Sequence, residues 1–153
     1  MTAHRVHRKQ YLDALFETVK DFKGDFEISS SLARYLCVLV AGFIETSVRE
    51  ILVDYAQETS SLNVATFVSN SLEYMRSPFM GNILDLLGSF SENWREAVKE
   101  TIRKADLGQH IDAIAKNRNQ IAHGAQLDIT YQQVSNYYEK AVELVSVIER
   151  ECC

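Results

Sequence analysis

Leu36-Cys37-Val38-Leu39-Val40-Ala41-Gly42-Phe43-Ile44 is a run without one charged side chain, and its reading decides the fold. It is too short to cross a bilayer, which takes about 20 apolar residues. It lacks the period-two alternation of a half-buried strand. Ser29, Ser30 and Ser31 stand ahead of it as N-cap residues, so the stretch predicts a long second helix running to about Glu58. A helix whose middle is apolar on every side belongs at the centre of a bundle.

Working outward, Leu12, Leu15, Phe16 and Val19 fall at helical spacing within Tyr11 to Lys20 and predict a first amphipathic helix, ended by the turn around Gly24. On the other side, a shorter helix is expected over Val64 to Met75. Pro78, suited to a first helical turn, precedes another segment through Leu87, closed by Gly88. Ser91-Glu92-Asn93-Trp94 opens a further helix to about Lys104, and Gly108 separates it from one spanning about Gln109 to Ala122. Thr130 caps a last helix, on which Val134, Tyr137, Tyr138, Ala141, Leu144, Val145 and Ile148 make one apolar stripe. The expectation is an all-α fold: a single-domain bundle of about five to seven helices over residues 1–153, with a long central second helix.

The chain's 153 residues are enough to bury a continuous core, and 46% hydrophobic residues with one Pro leave little room for long loops. Three cysteines, Cys37 and the pair Cys152-Cys153, form neither a disulfide framework nor a metal-ligand pattern and suit a reducing, cytoplasmic setting. No apolar stretch follows the basic start (His4, Arg5, His7, Arg8, Lys9) to make a signal peptide, so residues 1–9 read as a flexible basic arm. A formal net charge of -5 argues against a general nucleic-acid coat protein. It leaves room for a local basic site on a selected RNA.

One segment looks built for chemistry: Arg118-Asn119-Gln120-Ile121-Ala122-His123-Gly124. Ile111, Ile114, Ala115, Ile121 and Ala122 mark the inward stripe of its helix, and Arg118 lies on that stripe, where a guanidinium needs an anionic partner. Asp112, Lys116, Asn119 and His123 follow at spacings of four, three and four along a polar edge. Gly124 suits the position just past a helix end, which puts His123 in the last turn among free carbonyl oxygens. Arg118 and His123 are separated by about 140 degrees on an ideal helix. They converge only if the last turn unwinds, or if a two-fold axis lays the helix against its copy.

Arg offers a planar, permanently charged fork that matches phosphate oxygens, and His exchanges protons near neutral pH. In RNA the 2′-hydroxyl is an internal nucleophile, so proton transfer and stabilisation of charge on the phosphorus oxygens suffice without a metal or other cofactor. The Arg, the polar residue beside it and a His four residues further on, at a helix end before Gly, resemble the signature of HEPN domains. Ala33-Arg34-Tyr35-Leu36 through Gly42-Phe43-Ile44-Glu45 looks like the long N-terminal helix of the RiboL-PSP-HEPN branch. Many members of that superfamily are metal-independent endoribonucleases whose cleft forms between two protomers. The resemblance implies Arg118 and His123 as the catalytic pair, Asn119 beside them, a homodimer, an RNA substrate and, in many relatives, a growth-arresting toxin or phage-defence role with a protein antitoxin. It equally covers inactive relatives that serve as interaction modules for a protein or nucleotide partner.

Among supporting residues, Glu45 can pair with Arg49 or reach Arg118 across the bundle, and its structural reading is a plain ion pair. Lys116 offers a phosphate contact, against the commoner reading as a solvated-face residue. His110 reads as exposed, and Tyr131, Tyr137 and Tyr138 as packing residues.

Overall fold

The computed structural model describes residues 2–75 and 77–152. Its described residues form seven helices and no strand: α1 (Ala3–Lys20), α2 (Phe26–Thr59), α3 (Leu62–Ser71), α4 (Met80–Phe90), α5 (Glu92–Ala105), α6 (Gly108–Ala122) and α7 (Tyr131–Cys152). None of them is long and apolar enough to cross a membrane.

The 34 residues of α2 span about 50 Å at 1.5 Å per residue, and α1, α3, α6 and α7 all pack along it. Leu36, Cys37, Val40, Ala41, Phe43, Ile44, Val48, Ile51 and Leu52 are essentially inaccessible to water. Each large side chain among them contributes roughly 1.5–3 kcal/mol of burial. Burial also pushes the Cys37 thiol up to about 11, so it stays a protonated, packing side chain near neutral pH. The run is not enclosed on every side, however. Val38 and Tyr35 remain exposed next to Tyr11 of α1, because the neighbouring helices cover only the other faces of α2.

The helix ends are set by local chemistry that differs in places from the pattern reading. The cap of α2 is Asp25, whose carboxylate accepts from the Ile28 amide at 2.9 Å. Ser30 and Ser31 lie inside the first turns and accept instead from the Arg34 guanidinium. Pro78 sits ahead of the Phe79 N-cap rather than in the first turn of α4, and α4 runs past Gly88 to Phe90. Thr130 and Gln133 form a reciprocal capping box at the start of α7: Thr130 Oγ1 accepts from the Gln133 amide, and Gln133 Oε1 accepts from the Thr130 amide. Tyr138 stacks on Phe16 at 4.7 Å, with its hydroxyl donating to Asp13, and so joins α7 to α1.

The expected basic arm over residues 1–9 is the principal correction. From Ala3 onward it is helix, the first two turns of α1. Arg5 is only 3% exposed and bonds Asp54 of α2 at 2.7 Å and Glu149 of α7 at 2.8 Å. Arg8 makes a bidentate pair with Glu50. Arg5 and Arg8 thus place their charge on acidic side chains of α2 and α7 and tie the first helix to the bundle, while Lys9 pairs with Asp13 inside α1.

Candidate functional site

Helix α6 places the segment singled out above. Leu107, Ile111, Ile114 and Ala115 are buried against the bundle, which fixes the rotation of α6 and turns Arg118 to the margin of the packed face. The Arg118 side chain is 35% exposed, half in and half out of the packing. Its Nη2 lies 3.6 Å from Glu45 Oε1, an ion pair across from α2, and its Nη1 donates to Asn119 Oδ1 at 3.1 Å. Of the two partners open to Glu45, the structure selects Arg118.

Glu45 is half-buried. Desolvation raises its carboxyl above the ordinary glutamate value, and the nearby Arg118 charge works against that shift. An ion pair at this length and exposure leaves the guanidinium fork partly free. Arg118 is therefore held in place without being fully consumed.

Asn119 is fixed from two directions. Its Oδ1 accepts from Arg118 and also from Ser77 Oγ, at 3.1 Å each. A guanidinium can only donate, so the atom facing it is the amide oxygen, and the Asn119 amide NH2 is left to donate elsewhere. Ser77 comes from the segment between α3 and α4. That segment is pinned along the polar edge of α6 at a second point, where the Met80 amide donates to Asp112 at 2.7 Å. The Ser77 carbonyl in turn accepts from Asn82. Sequence reasoning missed Ser77, since a lone Ser before Pro in a connecting segment carries no periodic signal.

His123 is the C-cap of α6, and it is exposed. The Ala125 amide donates to the Gln120 carbonyl and the Gly124 amide to the Ile121 carbonyl, with Gly124 at φ 84, which together make a Schellman motif. A side chain at position 124 would meet nothing within 4 Å, so glycine is needed there for its backbone rather than for space. The amide of His123 still bonds the Asn119 and Gln120 carbonyls, so the last turn is wound to its end. Unwinding therefore does not bring Arg118 and His123 together: they stay on different sides of α6, with no hydrogen bond between them. Ala122, expected on the inward stripe, is exposed.

Among the candidate residues, then, Arg118, Asn119 and Glu45 meet in one cluster with Ser77, while His123 and Lys116 stand apart from it. Lys116 is exposed on the outer edge of α6. Arg49, one turn beyond Glu45, makes no hydrogen bond or ion pair among the described residues; Glu45, Thr46 and Arg49 face Tyr74 and Met75 across an open cleft. His110 lies partly buried near the Tyr137 ring.

Comparison with curated proteins and with solved structures finds no match. A family model does match: RiboL-PSP-HEPN, over residues 4–153, a span that takes in α1 from its second residue and the whole of the Arg118 cluster.

Proposed function

The chain belongs to the RiboL-PSP-HEPN family, and from that premise we propose that it is a metal-independent endoribonuclease working as a homodimer. The observation that carries this reading is the end of α6. Arg118 is held half-exposed by Glu45 and Asn119, and His123 is presented to solvent by an intact Schellman turn on another side of the same helix. Two solvent-facing groups on different sides of one helix suit a cleft that a two-fold axis completes, with α6 of each protomer lining it.

In that cleft the substrate 2′-hydroxyl gives its proton to a general base as its oxygen bonds to the adjacent phosphorus, and the P–O5′ bond breaks with a general acid giving a proton to the leaving 5′-oxygen. His123 acts as general acid or base, and Arg118 stabilises the charge on the non-bridging oxygens of the phosphorane-like transition state. The Asn119 amide NH2 donates to a phosphate or ribose oxygen, and Lys116 adds a phosphate contact at the rim. The products are a cyclic 2′,3′-phosphate and a 5′-hydroxyl. A toxin or phage-defence role in the cytoplasm, restrained by a protein antitoxin, fits such an activity.

The test is purified protein incubated with RNA in excess chelator. Cleavage is expected to persist, to leave cyclic-phosphate ends, and to fall at least about 100-fold in His123→Ala with an unchanged circular dichroism spectrum. Undiminished cleavage by that variant refutes the assignment, and a stable monomer at micromolar concentration in sedimentation refutes the shared cleft. A second reading, a noncatalytic interaction module, is favoured by the exposed Leu62, Val64 and Phe67 of α3. A folded dimer that cleaves no RNA would support it.

A further inference from the structure

The cleft of about 250 Å³ beside Glu45 has features that ion pairing and packing leave unexplained. Arg49, on its wall, is the one arginine among the described residues with neither an ion pair nor a hydrogen bond; the others spend their guanidinium groups on carboxylates, serines or carbonyl oxygens. Tyr74, on the opposite wall, is 87% exposed, the highest value among the large apolar side chains of the described residues. An aromatic ring left in water beside a free guanidinium is the pairing that single-stranded nucleic acids use, a flat face for a base and a fixed positive charge for the backbone. Glu45 connects this cleft to the candidate site, because its carboxylate lines the cleft and also pairs with Arg118.

We propose that the cleft between Glu45, Thr46 and Arg49 of α2 and Tyr74 and Met75 is a subsite for an unpaired ribonucleotide adjoining the phosphate held at Arg118. The base stacks on Tyr74, and the phosphate flanking it lies against Arg49. Glu73 also lines the cleft, so carboxylates flank it on both walls. They accept hydrogen bonds from base N–H groups and repel a bare anion, so the subsite takes a nucleotide and does not take inorganic phosphate alone. The proposal rests on the ribonuclease reading only for the identity of the neighbouring phosphate, and binding can be measured without cleavage.

The experiment uses the full chain carrying His123→Ala, which removes the proposed proton-transfer group, and a fluorescently labelled unstructured RNA oligonucleotide followed by anisotropy. Loss of a stacked base predicts that adding Tyr74→Ala weakens binding about 5- to 100-fold, while adding Tyr74→Phe leaves it near the parent value. Adding Arg49→Ala is expected to weaken binding and to lower the slope of log Kd against log salt by about 0.7, the loss of one backbone contact. The exposure of Tyr74 means that its replacement leaves the thermal midpoint unchanged, so lost binding is not lost folding. Equal affinity of the parent, Tyr74→Ala and Arg49→Ala overturns the subsite, as does inorganic phosphate competing as well as RNA. A parent that binds in this pattern although the unmutated protein never cleaves keeps the subsite and removes the nuclease.

Discussion

Arg5→Met tests whether the basic start of the chain is a structural element. The side chain is 3% exposed and gives up two charge-assisted bonds, at 2.7 Å to Asp54 and 2.8 Å to Glu149. Removing one partner of a buried ion pair costs about 3–5 kcal/mol, most of it from the charge left behind. Here Asp54 and Glu149 keep 32% and 19% side-chain exposure and Glu149 holds a further hydrogen bond besides that of Arg5, so part of the penalty is relieved and the loss falls near the lower bound, about 3 kcal/mol. In a domain of this size that lowers the thermal midpoint by about 6–12 °C. Urea unfolding at pH 7, followed by circular dichroism, measures it directly. The pH dependence supplies a second check. Burial favours a raised Glu149 carboxyl, but hydrogen bonds, that of Arg5 among them, outweigh it and hold the group below the ordinary glutamate value of 4.5. A depressed folded-state value gives stability that is present above the unfolded value and is lost as pH falls through the folded one. The gap between parent and variant should therefore narrow on acidification below about pH 4.5. A variant within about 0.5 kcal/mol of the parent at pH 7 refutes the docking of α1 through Arg5.

Two further outcomes bear on the Arg118 cluster. Ser77→Ala removes one of the two donors on Asn119 Oδ1, a bond contributing about 0.5–1.5 kcal/mol, so kcat is expected to drop by up to about tenfold with KM little changed. In an Asn119→Ala background the same change should have no further effect, and additive losses would disprove the positioning role. Glu45→Gln bears on pH: burial raises the Glu45 carboxyl, so the folded state binds that proton more tightly, and the wild-type chain loses stability as pH rises from the ordinary glutamate value through the folded one. Relative to the wild type, Glu45→Gln should gain stability across that window and hold the gain above it; urea midpoints at stepped pH showing the opposite slope would contradict the assignment.

Much of the architecture was legible because its determinants are local. The Leu36–Ile44 run, the Thr130 cap before an apolar stripe, Ser91 ahead of Trp94 and Gly124 after His123 each act within a turn or two of chain, and the helices form where those signals stand. Two of the boundaries that differ, at α2 and α4, involve residues with two local uses, while α1 starts earlier, at Ala3, and α3 covers Leu62–Ser71 in place of Val64 to Met75. Ser30 and Ser31 cap helices in general, but here Asp25 reaches the Ile28 amide first and leaves the serines to Arg34. Pro78 is compatible with a helix start and equally with the extended residues before one.

The candidate site divides along the same line. Arg118, Asn119 and His123 were readable because they lie within six residues at a helix end that Gly124 marks. Sequence alone determined the helices, the Ile111, Ile114 and Ala115 part of the inward stripe of α6 and the place of His123 at its end, since backbone hydrogen bonds and side-chain spacing within one helix depend mainly on neighbours along the chain. Tertiary structure alone decided that Glu45 faces Arg118 rather than Arg49, that Ser77 reaches Asn119 across 42 residues, and that Arg5 is a buried strut across 49 and 144. A charged side chain takes whichever counter-charge the packing brings within reach, and that depends on the rotation and crossing of helices distant in the chain.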